Sequence, residues 1–181
     1  MKLPPQAWAE TPGGSTVLHA LDAESGTTRL VGGAVRDALL ALPVTDVDLA
    51  TALSPQEVTQ RLEAAGVQVV PTGIAHGTVT AVTPDLIMEV TTLRRDVSTD
   101  GRRATVKYTA DWREDAARRD FTINALYARL PSGEIDDWFG GLVDLHAGRV
   151  RFIGEPLQRI AEDHLRILRF FRFHSRFGRG A

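Results

Sequence analysis

A strand, a pair of glycines and a helix follow one another without a break near residue 30. Thr28 to Val31 is apolar and extended, Gly32-Gly33 interrupts it, and Ala34 to Leu42 has helical spacing and ends at Pro43. Such a turn presents backbone N–H groups at a helix N-terminus, where an anionic oxygen binds without interference from a Cβ atom. An ordinary strand-to-helix turn remains the alternative on these residues alone.

Short β-branched segments and helical segments alternate along the rest of the chain. Strands are predicted over Asp46 to Ala50, Val67 to Val70, Gly77 to Val82, Leu86 to Thr92 and Arg149 to Ile153. Helices are predicted over Thr16 to Glu24, Ser54 to Gly66, Ala116 to Tyr127 and Leu157 to Phe177, the second with a Ser54/Glu57 capping box. Ile135 to Gly141 is predicted as a turn and polar Arg94 to Lys107 as a loop. The pattern indicates an α+β fold, one mixed sheet with helices followed by a helical segment.

Composition excludes several classes of protein. The 181 residues contain no cysteine, so disulfides, thiolate catalysis and Cys-ligated zinc are excluded. No apolar run approaches the ~20 residues that span a bilayer, and no secretory signal pattern opens the chain. We therefore expect a cytoplasmic protein that has no membrane partner. We also expect it to be a monomer.

Charge is distributed unevenly. Residues 1–90 carry 4 basic and 10 acidic side chains, whereas residues 91–181 carry 17 and 13, and nearly all of the basic ones are arginine. Arginine binds phosphate in bidentate fashion and stacks on bases, so the second half is suited to an anionic polymer. Arginine-rich genomic composition is the alternative explanation.

Two carboxylates, Asp46 and Asp48, flank Val47 on a predicted strand. Residues i and i+2 of a strand face the same side, so the two carboxylates converge. They repel unless a cation bridges them, and hard oxygen ligands suit Mg²⁺. A two-ion site would activate a hydroxyl and neutralise a leaving pyrophosphate. Glu89 interrupts an apolar strand and either completes this site or faces solvent.

Two arginine-containing motifs lie in the second half. In the segment Arg118 to Leu126, Arg119 and Asn124 can reach a phosphate or ribose, and Asp120 can fix an arginine in place. Asp163 and Arg166 are three residues apart and so are neighbours on a predicted helix. A carboxylate and a guanidinium together match the amino group and ring nitrogen of cytosine and adenine, and mismatch guanine and uracil. A solvated ion pair is the plainer alternative.

Four linked motifs resemble the class II tRNA nucleotidyltransferase and bacterial poly(A) polymerase family. They are Gly32-Gly33-x-Val35-Arg36-Asp37, Asp46-x-Asp48, Arg118-Arg119-Asp120-Phe121-Thr122 and Glu162-Asp163-x-x-Arg166. The resemblance implies a polymerase-β-like head over residues 1–150 and the first part of a helical neck over residues 151–181. In this family the neck is followed by body and tail domains that bind tRNA.

The resemblance also implies roles for individual residues. It places Mg²⁺ on Asp46 and Asp48, as the catalytic pair. It assigns recognition of the base to Asp163 and Arg166. It assigns nucleotide binding to the whole set Gly33, Arg36, Arg119, Asp163, Arg166, Arg169 and Arg172.

The activity that the resemblance implies is addition of C and A residues from CTP and ATP to the tRNA 3′ end. The segment Gly73 to Val79 favours the tRNA-directed members, and the length of Arg94 to Lys107 favours addition of CCA or of A. A CC-adding enzyme, an A-adding enzyme and a poly(A) polymerase are the alternatives within the family. A small-molecule nucleotidyltransferase and a non-catalytic RNA-binding module are the alternatives outside it.

Overall fold

The computed structural model describes residues 1–73, 76–100 and 103–179, in two compact units. One unit comprises Met1–Leu93 and Tyr127–Asp136, and the other comprises Arg94–Leu126 and Asp137–Ala181. The predicted division at residue 150 stays a prediction. Ile74 and Ala75, within the segment that favoured a tRNA-directed enzyme, lie outside the described residues.

The first unit is built on a seven-stranded mixed sheet. Its helices are α1 (Ala7–Glu10), α2 (Pro12–Ala20), α3 (Gly33–Leu39) and α4 (Pro55–Ala64). Its strands are β1 (Thr28–Val31), β2 (Val47–Thr51), β3 (Gln68–Gly73), β4 (Thr78–Val82), β5 (Ile87–Thr92), β8 (Tyr127–Arg129) and β9 (Ile135–Asp136). The strand order is β3-β4-β5-β2-β1-β8-β9, and β2 and β5 run parallel to each other. The predicted α+β class is confirmed.

The sheet buries one face of its central strands. Met88 and Val90 of β5 are almost fully buried, whereas Ile87 and Glu89, which alternate with them, are exposed. Helix α4 packs against β3, β4 and β5, and α3 packs against β1 and β2. The strand alternation therefore leaves the opposite side of β5 available to polar side chains.

Helix α4 begins as the sequence predicts. Ser54 Oγ accepts a hydrogen bond from the Glu57 N–H at 3.3 Å, and Glu57 Oε2 accepts one from the Ser54 N–H at 2.8 Å. This reciprocal capping box satisfies two N–H groups that a helix N-terminus leaves unpaired. Helix α2, by contrast, starts at Pro12 rather than Thr16, because Thr11 caps it by accepting from the Gly14 N–H. It ends at Ala20 rather than Glu24.

The second unit is a β-hairpin with short helices. Its elements are β6 (Arg94–Asp100), β7 (Arg103–Tyr108), α5 (Trp112–Ala117), a 3₁₀ turn (Thr122–Asn124), α6 (Gly141–Ala147), α7 (Pro156–Glu162) and α8 (Leu165–Phe177). The rings of Phe121 and Phe152 lie 4.8 Å apart, and those of Phe121 and Phe173 lie 5.4 Å apart. Phe170 stacks on Phe152 at 5.9 Å, so α8 packs through its aromatic face.

Several secondary-structure predictions are wrong. Arg94 to Lys107 is not a loop, because its backbone pairs as the β6–β7 hairpin with Arg94 opposite Tyr108. Ala116 to Tyr127 is not one helix, since α5 ends at Ala117 and β8 starts at Tyr127. Leu157 to Phe177 is two helices that are separated at Asp163, whose φ of −156° is extended.

Two shorter segments also differ from prediction. Arg149 to Ile153 is a single bridge, Phe121 to Phe152, rather than a strand. Within the predicted turn Ile135 to Gly141, Ile135–Asp136 forms the short strand β9. No helix in the described ranges combines the length and the apolar character that crossing a bilayer requires.

Candidate active site

The predicted carboxylates lie at the end of the sheet where the central strands β2 and β5 begin. Asp46 is exposed in the bend before β2, and Asp48 is half-buried within β2. Because β2 and β5 are parallel, with Asp48 paired to Glu89, the side chains of these two residues emerge on the same face of neighbouring strands. Asp46, Asp48 and Glu89 all line a groove of about 830 Å³. Glu89 is exposed, as one of the two expectations had it, and it lines the same groove as Asp46 and Asp48. That it completes a metal site stays a prediction.

The donor set of this groove fits a hard divalent cation. Mg²⁺ is usually bound by one or two carboxylates together with water and substrate phosphates, rather than by a full cage of protein ligands. Asp46 and Asp48 offer such oxygens at an accessible edge. Among residues 1–73, 76–100 and 103–179, no three His, Asp or Glu side chains are close enough together to form a metal cluster by themselves.

The β1–α3 turn lies at the same end of the sheet as the carboxylates. Strand β1 is antiparallel to β2, with Leu30 opposite Leu49, so the turn after β1 lies where β2 begins. Gly32 has a φ of 68°, which L side chains rarely adopt, and α3 starts at Gly33. A Cβ at Gly33 would lie 3.5 Å from Arg36 Nη2, so Arg36 reaches back over this turn.

Arg36 is fixed by its neighbour. Its side chain is buried, and its Nε and Nη2 both lie 2.8 Å from Asp37 Oδ1. A guanidinium held in this way presents its charge in one orientation, which is suited to binding a phosphate. The structure therefore brings together Gly33, Arg36, Asp46 and Asp48 in the first unit, as predicted from the sequence.

In the second unit, one buried carboxylate holds two arginines. Asp115 is 1% exposed and accepts from Arg118 Nε at 2.9 Å and from Arg119 Nη2 at 3.5 Å. It also accepts from the Arg94 N–H at 3.0 Å, which connects α5 to the start of β6. Arg119, a predicted nucleotide ligand, is thus positioned by Asp115, a residue that the sequence analysis did not single out.

Asp120 fixes an arginine, but the arginine is distant in the sequence. Its Oδ2 accepts from Arg169 Nε at 2.7 Å, while its Oδ1 accepts from the Phe121 N–H at 2.8 Å and from Asn124 Nδ2 at 3.2 Å. Arg169 is therefore oriented. Arg172 is exposed, and its guanidinium carbon lies 5.3 Å from the centre of the Phe173 ring.

The expected Asp163/Arg166 pair on one helical face is wrong. Asp163 lies in the extended break between α7 and α8, where its Oδ1 accepts from the Leu165 N–H at 3.0 Å. Arg166 Nη1 instead donates to Glu162 Oε2 and to the Arg159 carbonyl, both at 2.7 Å. An aspartate that bonds to a backbone N–H two residues on commonly ends regular structure, which accounts for the break.

Arg159 is a positioning residue that the sequence analysis missed. It donates to Glu162 Oε2 at 2.6 Å and, through Nη2, to the carbonyls of Arg118 and Arg119 at 2.6 and 2.8 Å. It therefore supports the backbone of the arginine motif from α7. The i,i+3 spacing of Arg159 and Glu162 and the i,i+4 spacing of Glu162 and Arg166 were the available signal.

The fold, together with the groove lined by Asp46, Asp48 and Glu89, defines a nucleotidyltransferase head of the polymerase-β-like type. The family model described as the poly A polymerase head domain matches residues 28–151. The chain belongs to this family.

Two curated relatives carry more specific names. "CCA tRNA nucleotidyltransferase 1, mitochondrial" of Mus musculus is 44% identical over 167 residues, which are 92% of this chain and 38% of that protein. The "CCA-adding enzyme" of Latilactobacillus sakei is 43% identical over 164 residues, 90% of this chain and 40% of that protein. The chain thus spans about two fifths of the length of these relatives.

Solved structures agree with this grouping. The Bacillus stearothermophilus CCA-adding enzyme in complex with CTP is 35% identical, with a TM-score of 0.75 over 91% of this chain and 40% of that one. A tRNA nucleotidyltransferase complexed with a primer tRNA and an incoming ATP analog is 34% identical, with a TM-score of 0.69 over 87% of this chain and 44% of that one.

Proposed function

We propose that this chain is the catalytic head and first neck helices of a template-independent tRNA nucleotidyltransferase. It adds C and A residues from CTP and ATP to the 3′ end of tRNA. The observation that carries the proposal is the pairing of Asp48 with Glu89 on adjacent strands, with Asp46 in the same groove. The names of the curated relatives and of the solved structures support it.

Within this proposal Asp46 and Asp48 hold two Mg²⁺ ions, and Glu89 adds a third carboxylate to the same face. When bound, the metal lowers the pKa of the attacking 3′-hydroxyl and neutralises the leaving pyrophosphate. Gly33 N–H and Arg36 bind the triphosphate at the neighbouring β1–α3 turn.

Base selection is assigned to Asp163 and Arg166, and the remaining nucleotide contacts to Arg119, Arg169 and Arg172. The carboxylate of Asp163 accepts from the exocyclic amino group of C or A, and Arg166 donates to the ring nitrogen. Arg166 donates to Glu162 and to the Arg159 carbonyl through Nη1, and a guanidinium has five N–H donors, so its other nitrogens can serve a base.

The alternatives share this chemistry and differ in product. An A-adding enzyme, a CC-adding enzyme and a poly(A) polymerase would all need the same carboxylates. The segment before Arg118 contains the paired strands β6 and β7 and is not shortened, which favours addition of CCA or of A. Monomeric state and cytoplasmic location stay predictions.

The decisive experiment offers labelled tRNAs that end at the discriminator base, at C or at CC to the purified chain with Mg²⁺ and CTP or ATP separately. CTP addition to the first two substrates and ATP addition to the third support CCA synthesis. Repeated ATP addition to any RNA would indicate a poly(A) polymerase instead.

The matched variants are Asp46→Ala and Asp48→Ala, with Glu63→Ala, an exposed carboxylate on α4, as the control. We expect the first two to abolish incorporation while the control retains it, since the carboxylates hold the catalytic charge. Incorporation by Asp46→Ala and Asp48→Ala within a few-fold of the unmodified chain would contradict the assignment.

A further inference from the structure

Asp85 lies in the turn between β4 and β5, on the wall of the carboxylate groove. Thr83 Oγ1 donates to Asp85 Oδ1 at 2.8 Å, and the Leu86 N–H donates to Thr83 Oγ1 at 3.1 Å. The turn is thus closed by its own side chains. Neither the catalytic assignment nor the nucleotide contacts use Asp85.

The Asp85 carboxylate also binds the N-terminus of α2, 72 residues earlier in the chain. The Gly13 N–H donates to Asp85 Oδ2 at 3.1 Å, next to the Gly14 N–H, which donates to the cap residue Thr11 at 3.1 Å. A Cβ at Gly13 would lie 2.1 Å from Asp85 Oδ1 and 2.2 Å from Thr83 Oγ1. Only glycine therefore allows α2 to approach the turn this closely.

The sheet order indicates which of the two substrates, the nucleoside triphosphate or the RNA 3′ end, this wall of the groove faces. In the order β4-β5-β2-β1 the β1–α3 turn lies on one side of Asp48, and Glu89 with the β4–β5 turn lies on the other. In-line displacement requires the attacking oxygen to approach opposite the leaving pyrophosphate. If the triphosphate binds at the β1–α3 turn, as the proposed function has it, the RNA 3′-hydroxyl approaches over β5 and the Asp85 turn.

We propose that Asp85 is a positioning residue for the RNA 3′ end, because it clamps the β4–β5 turn to the N-terminus of α2 and so fixes the wall of the groove. This inference rests on the proposed function and adds to it a role for the N-terminal helix. Asp85 acts through the position of Thr83 and Leu86 and is not itself a catalytic residue.

The test compares Asp85→Ala, Asp85→Asn and Gly13→Ala with Ser54→Ala. The control removes the capping box of α4, which is formed by Ser54 and Glu57. These two residues do not line the groove, so the control lowers stability without removing a contact of the Asp85 turn. For each protein the kcat and the KM for a tRNA primer are measured at saturating CTP, together with CTP affinity by calorimetry and the urea midpoint.

We expect Asp85→Ala and Gly13→Ala to raise the KM for the primer on the order of ten-fold relative to Ser54→Ala. Asp85→Asn, which retains one acceptor oxygen, should give a smaller increase, and it keeps the test valid if the alanine variants fail to fold. CTP affinity should match that of the control in all three variants.

The inference is overturned if the unmodified chain is active and the Asp85 variants change the primer KM no more than Ser54→Ala does. It is also overturned if CTP affinity falls as much as primer affinity, since that indicates a general structural loss. An unmodified chain that incorporates no more nucleotide than Asp46→Ala would overturn the proposed function itself, and this inference with it.

Discussion

The carboxylate of Asp120 accepts a hydrogen bond of 2.7 Å from Arg169 Nε, 49 residues further along the chain. Asp120 also accepts from the Phe121 N–H and from Asn124, and its side chain is almost fully buried. We expect Asp120→Ala to lower the free energy of unfolding by about 1–3 kcal/mol, because it leaves buried donors without an acceptor. Urea denaturation measures the free energy of unfolding. The control is Arg172→Ala, which replaces an exposed arginine of α8, the helix that carries Arg169, and it should change stability by less than about 0.5 kcal/mol. Equal losses in the two variants would contradict the prediction.

The two glycines of the β1–α3 turn should respond differently to alanine. Gly32→Ala places a side chain at a φ of 68° and should cost about 1–3 kcal/mol of stability. Gly33→Ala leaves its Cβ 3.5 Å from Arg36 Nη2, an ordinary contact, so the fold should persist. If a triphosphate binds there, Gly33→Ala should weaken CTP binding, which calorimetry measures. Unchanged CTP affinity in Gly33→Ala would remove this turn from the site.

Nucleotide preference should depend on Asp163 and Arg166. We expect CTP and ATP to bind more tightly than GTP and UTP, by on the order of ten-fold, because only the first two offer an amino group beside a ring-nitrogen acceptor. Replacing both residues with alanine should abolish the preference while triphosphate binding persists. Calorimetry with all four nucleotides is the measurement, and Arg176→Ala is the control on α8. Equal affinities in the unmodified chain would refute the base-reading role.

Acid should selectively weaken the Asp85 clamp. Hydrogen bonds from the Thr11 hydroxyl, then the Thr83 hydroxyl and the Gly13 N–H, hold the pKa of Asp85 below its ordinary value of 3.8. Since the folded-state pKa is the lower one, this carboxylate stabilises the fold fully above pH 3.8 and loses that effect as pH falls through the folded pKa. The difference in unfolding midpoint between the unmodified chain and Asp85→Asn should therefore be constant near neutrality and shrink in acid. A pH-independent difference would argue against the clamp.

Binding of this chain to tRNA should be weak and strongly salt-dependent. Residues 91–181 carry 17 basic and 13 acidic side chains, a net charge of +4, which is a modest basic surface. Phosphate contacts supply most nucleic-acid affinity and weaken with salt, so raising salt from about 50 to 200 mM should reduce affinity by on the order of ten-fold or more. Filter binding measures the tRNA affinity of this chain and of a full-length relative side by side. Comparable tRNA affinity of the two proteins at physiological salt would contradict the prediction.

Much of the sheet could be predicted because its signals are local. The strand at Thr28–Val31, the Ser54/Glu57 capping box and the alternation through Ile87–Thr92 are each encoded in neighbouring residues. The position of Asp48 followed from the same signals. Asp46 lines the same groove, but it lies in the bend before β2 rather than within the predicted strand. The pairing of Asp48 with Glu89 could not be predicted, because strand order depends on contacts across 41 residues.

One failure was a missed local signal. Strands β6 and β7 pair although the segment was predicted as a loop, and in β7 Ala104, Val106 and Tyr108 alternate in sequence with polar residues. The other failures have a physical cause, which is that tertiary or side-chain bonds override the local pattern. Helix α5 stops before Asp120, whose side chain bonds to the next backbone N–H. The start of α2 was missed because Gly13 and Gly14 resemble a loop, whereas the Asp85 approach requires glycine at residue 13.

The parallel pairing of β2 and β5 has a consequence for how the chain folds. Between Asp48 and Glu89 the chain forms α4, β3 and β4, and β5 lies between β4 and β2 in the sheet. Such long-range pairing is slow, because loop-closure entropy is lost before the contacts form. We therefore expect the groove that contains Asp48 and Glu89 to be assembled late in folding. Recovery of nucleotide incorporation after dilution from denaturant would follow the insertion of β5, and would lag behind the recovery of helical circular dichroism.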